Sequence, residues 1–188
     1  MSNIAMQGGA TGTGTVTLLA PSTSTNRTLT LPDATGTVLT SATTTGFPAG
    51  SVLQVVQGSY SSGASTSSTS YGDTGLTATI TPTSASSKIL VMVSHNGVSK
   101  NVGSVNNGVN IQLLRGATVV SIFGKLVAWD NQNNYNVGFY SGVDYLDSPA
   151  TTSAVTYKTQ FANYTASSSV EVNANGAISY ITLMEIAA

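Results

Sequence analysis

From Ser51 to the end of the chain, one strand-like segment follows another, several with apolar residues at every second position, and no segment shows the helical period of about 3.6 residues. The clearest alternation is VTYKTQF, residues 155–161. A turn at Arg115-Gly116 predicts a hairpin between two further segments. Besides 155–161, strands are predicted at 51–57, 76–81, 88–93, 109–113, 117–123, 137–139, 143–146 and 178–186. So many short strands predict an all-β fold, specifically a β-sandwich of jelly-roll type.

Two of these segments are predicted to lie away from the sheet edges. KILVMV, residues 88–93, is apolar at consecutive positions, which is typical of a central strand or of a strand that faces another subunit. ISYITLMEI, residues 178–186, is too long and too apolar for an exposed edge. The hydroxyl-rich segment 59–74 is predicted to be no more than an exposed connection.

The N-terminal segment 13–40 alternates threonine with apolar residues in short pieces that stop at Pro21 and Pro32. TGTV occurs at 13–16 and again at 35–38. Repeat folds need about three stacked units, so two copies predict that other chains supply the missing neighbours, and a homotrimer is the simplest assembly. The alternative is a low-complexity linker. The predicted trimer contacts of this threonine-rich β-repeat arm, or stalk, are Val16, Leu18, Leu29, Leu31 and Val38.

The segment TTTGFPAGS interrupts any regular element, because Gly46, Pro48 and Gly50 all disfavour one. We therefore predict two parts: an arm at residues 1–50 that anchors the protein, and a β-sandwich head at residues 51–188.

Composition excludes several classes of function. Charged residues make up 7% of the chain and the net charge is −1, whereas about 25% charged residues is usual. The six Lys and Arg residues are scattered singly, so there is no basic stripe for nucleic acid. No stretch approaches the roughly 20 apolar residues of a membrane helix, and MSNIAMQGG is not typical of a secretion signal. The sequence predicts a soluble protein, made without secretion, that binds neither nucleic acid nor membrane.

Candidate catalytic and metal-binding residues are sparse. The chain has no cysteine, and its one histidine, His95, is predicted to be a surface or interface residue and not a general base. Asp144 and Asp147 flank two residues, but a calcium loop needs more oxygen ligands in a short run. In a trimer, copies of His95 or Asp147 around an axis could still hold an ion. We expect no enzyme, no metal and no cofactor.

The best candidate for ligand binding is WDNQNNY, a segment that combines aromatic rings with planar amides. Such groups suit the C–H faces and paired hydroxyls of a sugar, which predicts a surface glycan as the ligand. The alternative is that the tryptophan closes an edge of the sandwich and the amides cap a long loop. The residues of this candidate receptor-binding segment are Trp129, Asp130, Asn131, Gln132, Asn133, Asn134 and Tyr135.

Four stretches of the chain carry a resemblance to a known family. GTVTLLAPSTSTNRTLTLPDATGTVLTSAT resembles the threonine-rich N-terminal repeat of virion fibre proteins from tailed phages of marine bacteria, including cyanophages. DTGLTATITPTSASSKILV, DSPATTSAVTYKTQF and ITLMEIA resemble the head of the same proteins. Together the matches cover residues 13–41 and most of 73–188.

This resemblance implies a homotrimeric virion appendage with a fibrous base and a head similar to the C1q and TNF jelly rolls. The expected partners are a phage tail or capsid protein, bound through residues 1–50, and the host surface glycan predicted from WDNQNNY. The chain has only two short repeats, so it would form a stub and not a long fibre. Two functions remain open: a tail fibre that attaches the virion to its host, or a head fibre that decorates and stabilises the capsid without a host receptor. A glycan-cleaving enzyme ranks below both, because the chain has only seven acidic residues from which to build a paired-carboxylate site.

Overall fold

The computed structural model describes residues 47–100, 107–130, 137–166 and 168–188, together with Ser22, Ser24, Thr25, Asn26 and Thr28. By backbone proximity the chain divides into two units, Met1–Thr37 and Val38–Ala188. The predicted arm contacts Val16, Leu18, Leu29, Leu31 and Val38 lie outside the described residues. The arm, its trimer contacts and the boundary at residue 50 therefore stay predictions.

The described part of the second unit is all-β. Its only helical element in these ranges is a single 3₁₀ turn at Ala174–Gly176. The strands in the described ranges are β1 (Val52–Tyr60), β2 (Ala64–Thr66), β3 (Gly72–Ile80), β4 (Lys88–Lys100), β5 (Asn107–Arg115), β6 (Thr118–Asp130), β7 (Val137–Asp147), β8 (Val155–Asn163), β9 (Val170–Val172) and β10 (Ser179–Ile186).

Two antiparallel sheets pack face to face as a sandwich. The four-stranded sheet has the order β3-β8-β5-β6. The six-stranded sheet contains the neighbours β1, β10 and β4 in that order, and β4 also pairs with β7. The short strand β9 pairs with the C-terminal part of β4, and β2 pairs with β9. The prediction of an all-β sandwich is confirmed. The central positions predicted for 88–93 and 178–186 are also confirmed, because β4 and β10 each pair on both sides.

The strand boundaries differ from the prediction in two places. The segments predicted as separate strands at 137–139 and 143–146 form one continuous strand, β7, which pairs with β4 over nearly its full length. The prediction that 59–74 is only an exposed connection is wrong, since it contains β2 and the start of β3. β2 is a strand because its backbone pairs with β9. Segment 59–74 has no apolar alternation from which that pairing could be predicted.

The core lies between the sheets and is formed by the inward residues of each alternating strand. In β8 the odd-numbered residues from Val155 to Phe161 are buried and the even-numbered ones face outward, as VTYKTQF predicts. The larger cluster of buried residues contains Leu76, Ala78, Ile80, Ile89, Val91, Val93, Leu113, Val155, Tyr157, Ile181 and Leu183. The smaller one contains Val98, Val109, Ile111, Phe161, Val170 and Val172. Burial of this apolar area is the main source of stability in a chain without disulfides.

An ion pair between the sheets identifies which strand termini share one end of the sandwich. Arg115, the last residue of β5, contacts Asp147, the last residue of β7. The chain joins the sandwich at this same end, because Gly50 donates its backbone N–H to the carbonyl oxygen of Ala187 (2.8 Å), just beyond β10. We call this the Arg115 end.

The opposite end is called the Trp129 end. There β5 begins at Asn107, which pairs with Asp130 at the close of β6, while β4 ends at Lys100 opposite Val137. At about 3.3 Å per residue, the length of β5 places roughly 25 Å between the two ends.

Candidate functional site

The strand that leads to the predicted recognition segment is bent by two bulges. Between Gly124 and Asp130, β6 carries one extra residue relative to β5 at each of two register shifts. Leu126 and Ala128 have φ values of 57° and 58°, the left-handed region that side chains disfavour. Bulges of this kind re-aim the side chains that follow them, and strained backbone is found often at functional sites. The bends therefore control how the end of β6 presents Trp129.

Trp129 is neither a core residue nor fully exposed. Its side chain is 49% exposed, on a strand at the edge of the four-stranded sheet. Two other half-exposed aromatic residues, Phe139 and Tyr164, lie at the same end of the sandwich. Water or a ligand can therefore reach part of the Trp129 side chain.

The rest of the predicted segment lies largely outside the described residues. The backbone of Asp130 pairs with Asn107, which closes the β5–β6 ladder. Asn131, Gln132, Asn133, Asn134 and Tyr135 fall in the undescribed range 131–136. Their role in binding stays a prediction.

His95 is buried, so the prediction of a surface or interface histidine is wrong. Its side chain has no solvent exposure and stacks on Phe123 with 6.5 Å between ring centres. Nε2 lies 2.7 Å from Oγ1 of Thr159, and that hydroxyl lies 2.6 Å from Oγ1 of Thr74. Burial lowers the pKa of His95 from 6.5 to about 4. The imidazole is therefore neutral at pH 7, and its place inside the sandwich removes it from an ion site on a trimer axis.

Asp144 and Asp147 point to opposite faces of β7. Asp144 is exposed, whereas Asp147 is buried and accepts hydrogen bonds from Arg115 and Tyr157. The two carboxylates therefore cannot hold one cation together. Among the described residues, no cluster of three or more metal-ligating side chains occurs.

A row of apolar side chains crosses the outer face of the six-stranded sheet. The pairing register aligns Val55 with Met184, Met184 with Leu90, and Leu90 with Leu146. Val55 and Leu146 are 54% and 51% exposed, and the two central members are partly buried. We call these four residues the apolar row. Large exposed apolar patches mark interaction surfaces more often than scattered single residues do.

A polar network crosses the outer face of the other sheet, and sequence reasoning missed it. Gln112 Nε2 donates to Gln160 Oε1 (2.9 Å), and Gln160 Nε2 donates to Asp73 Oδ1 (2.8 Å). Lys158 Nζ donates to the other oxygen of Asp73 at 2.9 Å. The hydrogen bonds from Lys158 and Gln160 lower the pKa of Asp73. The alternation in VTYKTQF predicts that Lys158 and Gln160 face outward. It does not predict that β3 places Asp73 beside them, because Asp73 is about 85 residues distant in the sequence.

Comparison with known proteins leaves this geometry as the main guide to function. No protein-family model matches the chain, and no curated protein has significant sequence similarity to it. Within the described ranges, no helix is long and apolar enough to cross a membrane.

Proposed function

We propose that this protein is a structural virion fibre protein of a tailed phage, with no enzymatic activity and no cofactor. In this proposal residues 1–50 anchor it to the particle, and a homotrimeric sandwich head attaches to a glycan of the host surface. The observation that carries the proposal is the position of Trp129 at one end of the sandwich while Gly50 joins the other end. An attachment protein needs its ligand-facing loops far from its anchored end, and the separation of Trp129 from Gly50 supports such an arrangement.

The strand order supports a head of the jelly-roll type. Without the short strands β2 and β9, the eight long strands form two sheets with the orders β1-β10-β4-β7 and β3-β8-β5-β6. A jelly roll likewise packs eight strands in two sheets, so this order supports a head of that type. The resemblance of the sequence to fibre heads implies the same fold.

The apolar row supports self-association. Val55 and Leu146 stand half exposed at its two ends, on strands that flank the central pair β10 and β4. Another copy of the chain would remove this row from water, which stabilises an assembly by about 25 cal/mol per Å² of apolar surface. The two-copy arm repeat independently favours three chains.

Labelling of intact particles tests the proposal. An antibody raised against residues 47–188 is applied to the phage that encodes this chain, and the particles are imaged by electron microscopy. We expect label on the tail, where fibres meet the host. Label spread over the capsid would favour the decoration function instead. Absence of the chain from the particles would refute both the tail-fibre and the capsid-decoration function.

A competition assay tests attachment separately. The purified full-length chain, added to host cells in excess, should reduce phage adsorption because it occupies the receptor. The same chain with Trp129→Ala should compete less well. Full adsorption in the presence of folded wild-type protein would contradict a receptor-binding role.

A further inference from the structure

A recess opens on the outer face of the four-stranded sheet where β3 bulges away from β8. Asp73 pairs with Gln160, but the next regular pair is Thr77 with Lys158, so three residues of β3 stand opposite Thr159 alone. The recess has a volume of about 140 Å³. Its lining consists of Asp73, Gly75, Leu76, Thr77, Lys158 and Thr159.

Buried hydrogen bonds hold this bulge open. Thr74 is 1% exposed, and its hydroxyl accepts the backbone N–H of Leu76 at 3.1 Å. The same hydroxyl lies 2.6 Å from Oγ1 of Thr159, which in turn contacts His95. Because the polar groups of the bulge are hydrogen-bonded within the protein, the recess is a defined part of the folded sheet.

The polar rim of the recess is electrically balanced. Asp73, with a side chain 55% exposed, and Lys158, 30% exposed, neutralise each other at 2.9 Å. A phosphate or sulfate would be repelled by Asp73, and a cation by Lys158. A hydroxyl group, in contrast, can donate to the carboxylate and accept from the ammonium at the same time. Gln160 fixes the orientation of Asp73, so the pair presents a prearranged acceptor and donor.

An aromatic ring lies against Gly75, one of the residues that line the recess. The ring of Tyr60 occupies the space that a side chain at position 75 would fill, and Gly75 has a φ of 90°. Tyr60 is 36% exposed. Aromatic rings beside hydroxyl-binding groups provide the apolar surface on which the C–H groups of a sugar pack.

We propose that this recess binds one monosaccharide unit of a neutral glycan. Two hydroxyls bridge Asp73 and Lys158, and the sugar ring lies against Tyr60. Pockets for drug-sized ligands hold about 300–1,000 Å³, so a recess of 140 Å³ has room for no more than a single sugar unit. The ligand class is that of the proposed function, but the site is separate from Trp129 and does not depend on a virion or a trimer.

Saturation-transfer NMR on the purified full-length chain tests this proposal. The probes are the methyl glycosides of glucose, galactose, mannose and N-acetylglucosamine, with N-acetylneuraminic acid as the charged comparison. We expect at least one neutral glycoside to bind, with millimolar affinity, and the charged sugar to bind less well. Asp73→Asn and Lys158→Met should each weaken binding by about tenfold or more, since each removes a hydrogen bond to a charged group.

Matched variants separate the recess from other surfaces. Asp144→Asn removes an exposed carboxylate from the other sheet and should leave binding unchanged. Tyr60→Phe should retain binding and Tyr60→Ala should lose it, provided that both variants keep the wild-type circular dichroism spectrum. Binding that survives both Asp73→Asn and Lys158→Met would overturn the proposal, even if Trp129→Ala abolished it. Absence of binding by every neutral glycoside at tens of millimolar would overturn it as well, and would leave the fibre function itself unaffected.

Discussion

The phenol of Tyr157 donates a 2.7 Å hydrogen bond to Oδ2 of Asp147, and this bond joins the two sheets across the Arg115 end of the sandwich. Asp147 belongs to β7 and Tyr157 to β8. Arg115 completes the cluster, with Nη1 at 3.0 and 2.9 Å from the two carboxylate oxygens. Burial, followed by the bond to Asp147, raises the pKa of Tyr157, so the phenol is protonated and remains a donor at pH 7.

Asp147→Asn tests what this cluster contributes. The substitution removes the charge that Arg115 and Tyr157 share, and we expect the free energy of unfolding to fall by about 1–3 kcal/mol. Urea denaturation at pH 7 measures the change. Asp144→Asn, on the exposed face of the same strand, is the control and should stay within about 0.5 kcal/mol of wild type. Equal stability of the two variants would show that the cluster contributes nothing net.

The burial of His95 predicts that the folded protein loses stability in acid. Its folded-state pKa of about 4 lies below the ordinary 6.5, so the unfolded chain takes up a proton first as the pH falls. The stability associated with neutral His95 is therefore complete above pH 6.5 and lost between pH 6.5 and about 4, by on the order of 3 kcal/mol. Thermal unfolding across this range measures the loss. His95→Gln keeps a polar atom near Thr159 but does not titrate, and its stability should change less with pH. Parallel curves for the two proteins would refute this role of His95.

Leu146→Asp tests the apolar row as the surface of self-association. Leu146 is 51% exposed in the single chain, so a charge there should leave the fold intact but disfavour contact with another copy. Sedimentation should change from a trimer of 19.1 kDa chains to monomer. The matched control is Ile122→Asp on the four-stranded sheet, where Ile122 is 57% exposed, and it should remain trimeric. A wild-type chain that is monomeric and folded would contradict the trimer.

Gly58 of β1 packs directly against the backbone of β3, and a side chain at position 58 would overlap the carbonyl oxygen of Thr77. Gly58→Ala should therefore destabilise the protein by about 1–3 kcal/mol, because backbone must move to make room. Gly72→Ala is the control, since a methyl group at position 72 meets no atom within 4 Å. Thermal unfolding measures the melting temperatures of both variants. Equal melting temperatures would show that β1 moves to accommodate the methyl group without loss of stability.

Trp129→Ala separates the two interpretations of that residue. At 49% exposure its loss should cost less than the roughly 3–5 kcal/mol typical of a buried tryptophan. If Trp129 contacts the receptor, the variant should keep most of its stability and lose binding to host cells. Phe139→Ala, 47% exposed at the same end, is the control for nonspecific loss of aromatic surface. A fall in stability as large as that of a core truncation would assign Trp129 to the sandwich edge.

Much of the fold follows from the sequence because strand formation leaves a local signal. VTYKTQF shows its buried and exposed faces through alternation alone, and β8 has that pattern. The length and apolar character of 178–186 likewise indicated a central strand, which β10 is. β2 and β9 left no such signal, since each has only three residues and is defined by its pairing: β2 with β9, and β9 with both β2 and β4.

The sites depend on contacts that no local pattern contains. His95 lies within β4 and continues the inward alternation of Ile89, Val91 and Val93. Its contacts with Phe123 and Thr159, which come from the opposite sheet, have no local signal. Asp73 meets Lys158 only because β3 and β8 are neighbours, and Asp147 meets Tyr157 only because the sheets face each other. The sequence by itself determined that the chain forms strands and which side chains alternate, because both depend on adjacent residues. The tertiary structure decided which strands pair, and therefore which distant polar groups become an ion pair, a buried histidine contact or a recess.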